Sequence, residues 1–314
     1  MKFGGPFPWQ GRLATPENMI TAAKAVERLG FDYVWMGDHL MLPKVLRTRY
    51  PYTADGKNRA SWDRNFFEMV VTAAHVSAHT TTLRFHSNIM ILPLRTPFLV
   101  ARQLASLDAL AKGRFTAVFG LSWMKDEYDA LGLPWSKRGA MMDDGIDALR
   151  ALFAEEAHHG PYYDFEASWL RPHPVQDPYP IWIGGDSNAA MRRVALRGDG
   201  WAPHVARGPE GCARLKQRLS EIAQIRAKAG APAAPLAVAA GIGEILVNGP
   251  LTRFSEKRDY WLEEIAGLEE AGVTHVSANF NEINVDLPLQ AVLDEAQWFA
   301  EEIIAKTRSP ASGG

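Results

Sequence analysis

Short apolar runs and amphipathic stretches take turns almost without exception along the 314 residues. Each apolar run is too short for a helix and is bounded by glycine, proline or small polar residues, so it reads as a buried strand. The stretches between repeat their apolar residues at helical spacing. Strands are expected at 2–6, 31–36, 83–88, 114–119, 180–183, 200–203, 236–247 and 273–280, and helices at 15–30, 66–78, 97–110, 136–154, 189–197, 209–229, 255–271 and 288–306. Eight strands alternating with eight helices is the count of a (β/α)8 barrel. A doubly wound sheet would want a dinucleotide fingerprint after the first strand, and Gly4-Gly5-Pro6-Phe7-Pro8-Trp9-Gln10 is not one.

A chain of this length can be one barrel, so residues 1–306 are read as a single domain and 307–314 as a disordered tail. Two stretches depart from the alternation. Residues 37–64 form a polar, aromatic loop too long for a plain connection, which makes it a candidate mobile substrate loop. Residues 158–177 read as a hairpin insertion.

Composition removes several function classes. A hydrophobic fraction of 47% with 22% charged residues is ordinary for a soluble globular protein. The formal charge of −2, with dispersed Lys and Arg, offers no field for nucleic acid. No run approaches the roughly 18 apolar residues of a membrane span, and the N-terminal stretch lacks the apolar segment of a signal peptide. Cys212 is the single cysteine and cannot form an internal disulfide. A cytoplasmic protein without membrane or nucleic-acid partners is the expectation.

The most informative stretch runs from Pro180 to Pro203. A strand over Ile181-Trp182-Ile183 breaks at Gly184-Gly185, Ser187 or Asn188 can cap the next helix, and Gly198 is expected to end it in the left-handed conformation. Strand, glycine turn and helix N-terminus together suit an anion, because backbone N–H groups can approach it and the helix dipole favours negative charge. A plain tight turn between strand and helix fits the same residues.

In a barrel, chemistry lies at the C-terminal ends of the strands. There the sequence offers Asp38-His39 after the second strand, His86-Ser87-Asn88-Ile89 after the third, and Gly120-Leu121-Ser122-Trp123 after the fourth. His204 and Arg207 follow the sixth strand, and Asn279 ends the eighth. His39 can move a proton near neutral pH. Trp123, with Trp9 and Tyr50, can wall a substrate pocket, or Trp123 can simply plug a gap between helices. No metal site is expected, since there is no zinc-type His-Glu-x-x-His helix or cysteine pair. The absence of a Gly-x-Ser-x-Gly elbow argues against a serine hydrolase.

Four segments, at 27–43, 82–115, 120–139 and 181–201, together resemble the bacterial luciferase-like flavin and deazaflavin oxidoreductases. They include Glu27-Arg28-Leu29-Gly30-Phe31-Asp32-Tyr33-Val34-Trp35 and Ile181-Trp182-Ile183-Gly184-Gly185-Asp186-Ser187. The resemblance covers about residues 1 to 205, and beyond that only the alternation continues. It implies a luciferase-like barrel with insertion segments, binding FMN or the deazaflavin F420 at its C-terminal mouth. It further implies a non-prolyl cis peptide at Asn88-Ile89 behind the ring, cofactor phosphate on Gly184, Gly185, Asp186 and Ser187 with Ile183 also cofactor-binding, and Asp38 and His39 facing ring and substrate. Asp186 departs from the neutral residue common in relatives. A carboxylate there must turn away from a phosphate. Deazaflavin-dependent sugar-phosphate dehydrogenases of the family carry a Glu acid after the fourth strand. Trp123 stands in that place here, which leaves His39 as the acid/base candidate.

The first functional expectation is therefore an F420-dependent oxidoreductase passing hydride between deazaflavin and a small organic substrate. A reduced-FMN two-component monooxygenase, its reductase a separate protein, is the second; across the two readings the partner enzyme expected is a flavin or F420 reductase. A non-catalytic flavin-binding barrel is the third. The longer anionic tail of F420 would favour a basic groove, which Arg192, Arg193, Arg197 and Arg207 could supply or which could be a solvated helix face. Barrels of this family often pair as homodimers, so the apolar face of Phe98, Leu99, Ala101, Leu104, Leu107 and Leu110 is core or, in part, interface.

Overall fold

The computed structural model describes residues 1–51, 53, 55–57, 64–204, 208–231, 235–243, 250–282 and 286–308. Its strands are β1 (Lys2–Gly4), β2 (Tyr33–Met36), β3 (Arg84–Ser87), β4 (Met90–Ile91), β5 (Phe115–Gly120), β6 (His158–His159), β7 (Asp164–Phe165), β8 (Ile181–Gly184), β9 (Gly200–Ala202), β10 (Ala237–Ile242) and β11 (His275–Ala278). All except β6 and β7 join one parallel sheet. The last strand returns to the first, with Lys2 beside His275 and Phe3 beside Val276, which closes the barrel. β3 and β4 are two pieces of one stave, both paired with β5 and interrupted at Asn88-Ile89. The fold is thus a (β/α)8 barrel.

The surrounding helices are α1 (Pro16–Arg28), α2 (Met69–Ser77), α3 (Pro97–Leu110), α4 (Lys125–Ala130), α5 (Arg138–Ala154), α6 (Asn188–Arg197), α7 (Gly208–Lys228), α8 (Arg258–Glu270) and α9 (Leu289–Phe299). Local chemistry starts several of them. Thr15 accepts from Asn18 N–H at 3.2 Å with Pro16 at the first helical position. α2 begins three residues after the expected Phe66, because Phe66 bridges to Gln10 and Glu68 becomes the cap, accepting from Val71 N–H at 2.8 Å. Gly198 corrects a second expectation. It is extended (φ −101°, ψ 142°), not left-handed, so the chain leaves α6 directly for β9. A side chain there would crowd Ile183, with a Cβ 3.1 Å from its Cγ1. Close approach, not backbone handedness, selects this glycine.

The insertion is a two-stranded hairpin over 158–165, strapped to α5 by Asp144, which accepts from Tyr162 and Tyr163 N–H at 2.9 Å each. Asp108 holds the following segment, accepting from Val175 and Gln176 N–H at 2.7 and 2.8 Å. On α3, Leu104 and Leu107 enter the core, whereas Phe98, Leu99 and Leu110 are exposed. The substrate-loop expectation is only partly visible, since 52, 54 and 58–63 lie outside the described residues, as do 309–314 of the expected tail.

Within the barrel, large rings fit because glycines face them. A Cβ on Gly4 would lie 2.6 Å from the Tyr33 ring, and one on Gly200 would lie 2.5 Å from the Trp182 ring. Tyr33 stacks on His86 with centroids 4.3 Å apart, and its hydroxyl meets Ser277 Oγ at 2.9 Å. Burial drives His86 well below its usual range, helped by His275 and Arg84, so the ring is neutral. His275 is lowered to about 4, again chiefly by burial.

Two outcomes follow from this packing. Gly200→Ala forces the Trp182 ring aside and is expected to cost about 1–3 kcal/mol, read as a lower urea midpoint. Glu282 is buried beside Phe7, whose N–H it accepts at 3.0 Å, and burial raises its carboxyl from 4.5 to about 7. The fold therefore favours the protonated acid: its stabilising contribution is complete below about pH 4.5 and is lost as pH rises through 7. Glu282→Gln should flatten the fall in stability between those values in pH-dependent denaturation.

Candidate active site at the barrel mouth

The end of β2 delivers Asp38 and His39, and the two side chains go different ways. His39 Nδ1 lies 2.9 Å from Glu127 Oε2, a carboxylate on the first turn of α4 that is fully buried. Glu127 Oε1 also accepts the Leu40 N–H at 2.7 Å. Ser122, at φ +64°, turns the chain from β5 towards α4 and donates to Glu127 Oε2 at 3.4 Å. Bonded to a carboxylate, Nδ1 is the nitrogen that holds the ring proton, which leaves Nε2 as the basic atom. Trp123 packs edge-on to His39 (5.9 Å) and to Tyr50 (4.9 Å), and Phe66 lies 5.9 Å from His39. The neighbouring Asp126 accepts from Arg47 and Thr48 N–H at 3.0 and 2.9 Å. Two adjacent acids thus dock the start of the 37–64 loop on α4.

Asp38 is buried and points to Arg95, whose Nη1 and Nη2 donate to it at 2.6 and 2.7 Å. The Ile91 N–H adds a third bond at 2.8 Å. The resemblance implies a ring-facing Asp38; in the structure its oxygens tie β2 to β4. That bond adjoins the interruption between β3 and β4, where the Asn88-Ile89 peptide is cis. Ile89 wedges between the ends of β5 and β8: a Cβ on Gly120 would fall 1.9 Å from its Cδ1, and one on Gly184 would fall 2.8 Å from its Cγ2. Asn88 is left facing the cavity.

On the far side, Gly185 at φ +107° makes the turn into α6, where non-glycine residues are disfavoured. Its N–H donates to Ala202 O at 3.1 Å and its carbonyl accepts from Trp201 Nε1 at 2.9 Å, so β9 fixes the turn. Ser187 is the cap, accepting from Ala190 N–H at 3.1 Å. Asp186 turns to β9 and accepts the His204 N–H at 2.9 Å. Ile183 directs its side chain towards Gly198, behind the sheet. Arg193 and Arg197 pair with Asp143 and Asp147 on α5 at 2.6 and 2.7 Å, so they supply no open basic groove. Arg207 lies outside the described residues.

Between these walls a cavity enters the barrel, lined by Trp35, His86, Asn88, Trp182, Gly241 and Asn279 among others. Trp9 stands behind Trp35, at 4.8 Å, as buried backing to the wall. Among the described residues no cluster of His, Cys, Asp and Glu could hold a metal, and no helix is long and apolar enough to cross a membrane. Sequence reading passed over Glu127 and Arg95. An Asp-Glu pair opening a short helix just after a barrel strand was the available signal for Glu127.

Arg95→Met strands the buried Asp38 carboxylate and is expected to cost roughly 3–5 kcal/mol. A chemical denaturation series checks this, with the double replacement Asp38→Asn, Arg95→Met recovering part of the loss.

The model of the luciferase-like monooxygenase family matches residues 1–274. An uncharacterised protein of Mycobacterium tuberculosis is 33% identical over 293 residues, covering 91% of this chain and 94% of its own. An FMNH2-dependent dimethylsulfone monooxygenase of Pseudomonas putida is 30% identical over 215 residues, 67% of this chain and 52% of that enzyme. Among solved structures, the coenzyme F420 dependent tetrahydromethanopterin reductase of Methanopyrus kandleri has a TM-score of 0.69 at 14% identity, covering 97% of this chain and 99% of that one. An F420-dependent secondary alcohol dehydrogenase in complex with an F420-acetone adduct has a TM-score of 0.70 at 16% identity, covering 97% and 98%. At such identities the structures speak for the fold. The sequence match over most of the chain, on a closed barrel, makes this protein an oxidoreductase of the luciferase-like monooxygenase family.

Proposed function

We propose that the protein is an F420-dependent oxidoreductase that passes hydride between the deazaflavin ring and a small organic substrate. The observation that carries this reading is the His39–Glu127 pair, a proton-handling group fixed by a buried carboxylate at the barrel mouth. The residues suit a planar ring with a phosphate-bearing arm. Asn88 and the aromatic walls border a slot, and Gly185 at φ +107° makes the turn into α6, whose first N–H groups, apart from Ala190 N–H on the Ser187 cap, lack partners within the helix. The cofactor supplies the hydride chemistry at its ring. The protein's part is to align the two reacting carbons, exclude water with Trp35, Trp182 and Trp123, and move the accompanying proton at His39 Nε2. Asp186, turned to His204, leaves the anion site uncontested.

A reduced-FMN monooxygenase with a separate reductase is the second reading, favoured by the likeness to the dimethylsulfone enzyme. The pairing of Arg193 and Arg197 removes one argument for the longer anionic tail.

Parallel titrations of the purified protein with F420 and FMN separate the two readings. Saturable binding of F420 with much weaker FMN binding supports hydride transfer, and the reverse supports the monooxygenase. In the turnover that results, His39→Ala should lower kcat by about 10²–10⁴-fold with cofactor affinity kept. Unchanged turnover would remove His39 from the chemistry.

A further inference from the structure

Helix α4 starts without a cap of its own. Met124 stands at its N-cap position and supplies no side-chain acceptor, and a helix of six residues is too short to hold itself. The cap comes from the loop after β2, 77 residues earlier in the chain. Thr48 Oγ1 accepts the Lys125 and Asp126 N–H groups at 2.9 and 3.2 Å and donates to Asp126 Oδ2. A hydroxyl has one proton and two lone pairs, so this one is fully used. Asp126 in turn accepts the Thr48 N–H at 2.9 Å. Loop and helix thus cap each other, as the two ends of a capping box do within one segment.

The next residue on the same turn is Glu127, which meets His39 Nδ1 at 2.9 Å. The loop reaches the histidine by a second route as well. Tyr50, two residues beyond Thr48, packs edge-on to Trp123, and Trp123 packs edge-on to His39. The arm from Arg47 to Tyr50 therefore grips the turn that holds His39 from two sides, Thr48 by hydrogen bonds and Tyr50 by its ring.

We propose that Thr48 is a positioning residue for His39: its hydroxyl fixes the first turn of α4, and through Glu127 it keeps the ring proton on Nδ1 and leaves Nε2 basic. The histidine is then set for proton transfer only while the 47–50 arm is seated on α4. Giving that proton a place in catalysis rests on the hydride-transfer reading; the link from Thr48 to the His39 tautomer does not. Without the hydroxyl, the Lys125 and Asp126 N–H groups lose their acceptor and the turn frays. Glu127 then no longer stands at a fixed distance from Nδ1, and the ring proton divides between the two nitrogens.

The test uses the purified full chain without added cofactor, carrying isotope-labelled histidine, with the ring nitrogens of His39 read by NMR at mildly alkaline pH. His39→Gln identifies the signal by its loss. The wild-type ring should carry its proton on Nδ1. Thr48→Val keeps the shape of the side chain and removes the hydroxyl, whereas Thr48→Ser keeps the hydroxyl. Thr48→Val should raise the ratio of the Nε2–H to the Nδ1–H form about fivefold, the factor that matches loss of a helix cap, and Thr48→Ser should stay at the wild-type ratio. Asp126→Ala, which unseats the arm from the helix side, should shift the signal in the same direction, and it suffices alone if thermal melting shows that Thr48→Val does not fold. An unchanged His39 signal in a folded Thr48→Val protein whose Lys125 and Asp126 amides exchange faster would overturn the proposal, since the cap would then serve the helix alone. Equal shifts in Thr48→Val and Thr48→Ser, or a wild-type proton on Nε2, would overturn it too. Failure of the hydride-transfer reading would look different: the wild type would bind neither F420 nor FMN, with the His39 results intact.

Discussion

The Asp38–Arg95 pair is the contact on which the mouth of this barrel depends. Two opposite charges out of water are tolerable only when both are met by well-aligned partners, and here a bidentate guanidinium and the Ile91 N–H meet the carboxylate. The bond fixes where β4 starts relative to the end of β2. That placement sends Ile89 into the gap between Gly120 and Gly184, which are glycines because Ile89 already fills their Cβ positions. It also leaves Asn88 facing the cavity. The turn that follows Gly184 is held in its own right by β9, through the Ala202 carbonyl and the Trp201 indole. A rigid floor beside a rigid N–H-lined turn is what a ring-and-phosphate ligand requires.

The His39 side of the mouth is likewise held by acids, here on the first turn of α4. Glu127 reaches both the His39 imidazole and the Leu40 backbone, so one carboxylate sets the tautomer of the histidine and the path of the loop behind it. Asp126 repeats the device one residue earlier with Arg47 and Thr48. Loop position and the orientation of His39 are therefore coupled through the first turn of a single short helix. A change in α4 would be felt at His39 without touching any ligand.

Much of the fold was legible in the sequence because strand burial and helix amphipathicity leave their period in neighbouring residues. The Thr15 and Ser187 caps were readable for the same reason: their partners lie three residues on. The site was legible only in outline. His39 and Asp38 were placed by their position after a strand, but their partners stand 88 and 57 residues away, beyond any local pattern. Gly198 was misread because a glycine ending a helix looks the same whether it serves handedness or close approach to Ile183. The choice between a basic groove and a solvated helix face stayed open because a sequence shows arginines, not the aspartates on α5 that neutralise Arg193 and Arg197.

In the proposed complex the ring lies against Asn88-Ile89 with its phosphate on the first turn of α6. A crystal structure of the protein grown with F420, and of a second crystal grown with FMN, addresses it most directly. Expected are density for a planar ring over Asn88, an anion within hydrogen-bond reach of the backbone N–H groups at 186–189, and Nε2 of His39 turned towards the open face of the ring. Density for the ring elsewhere on the barrel, or a phosphate bound away from α6, would contradict it.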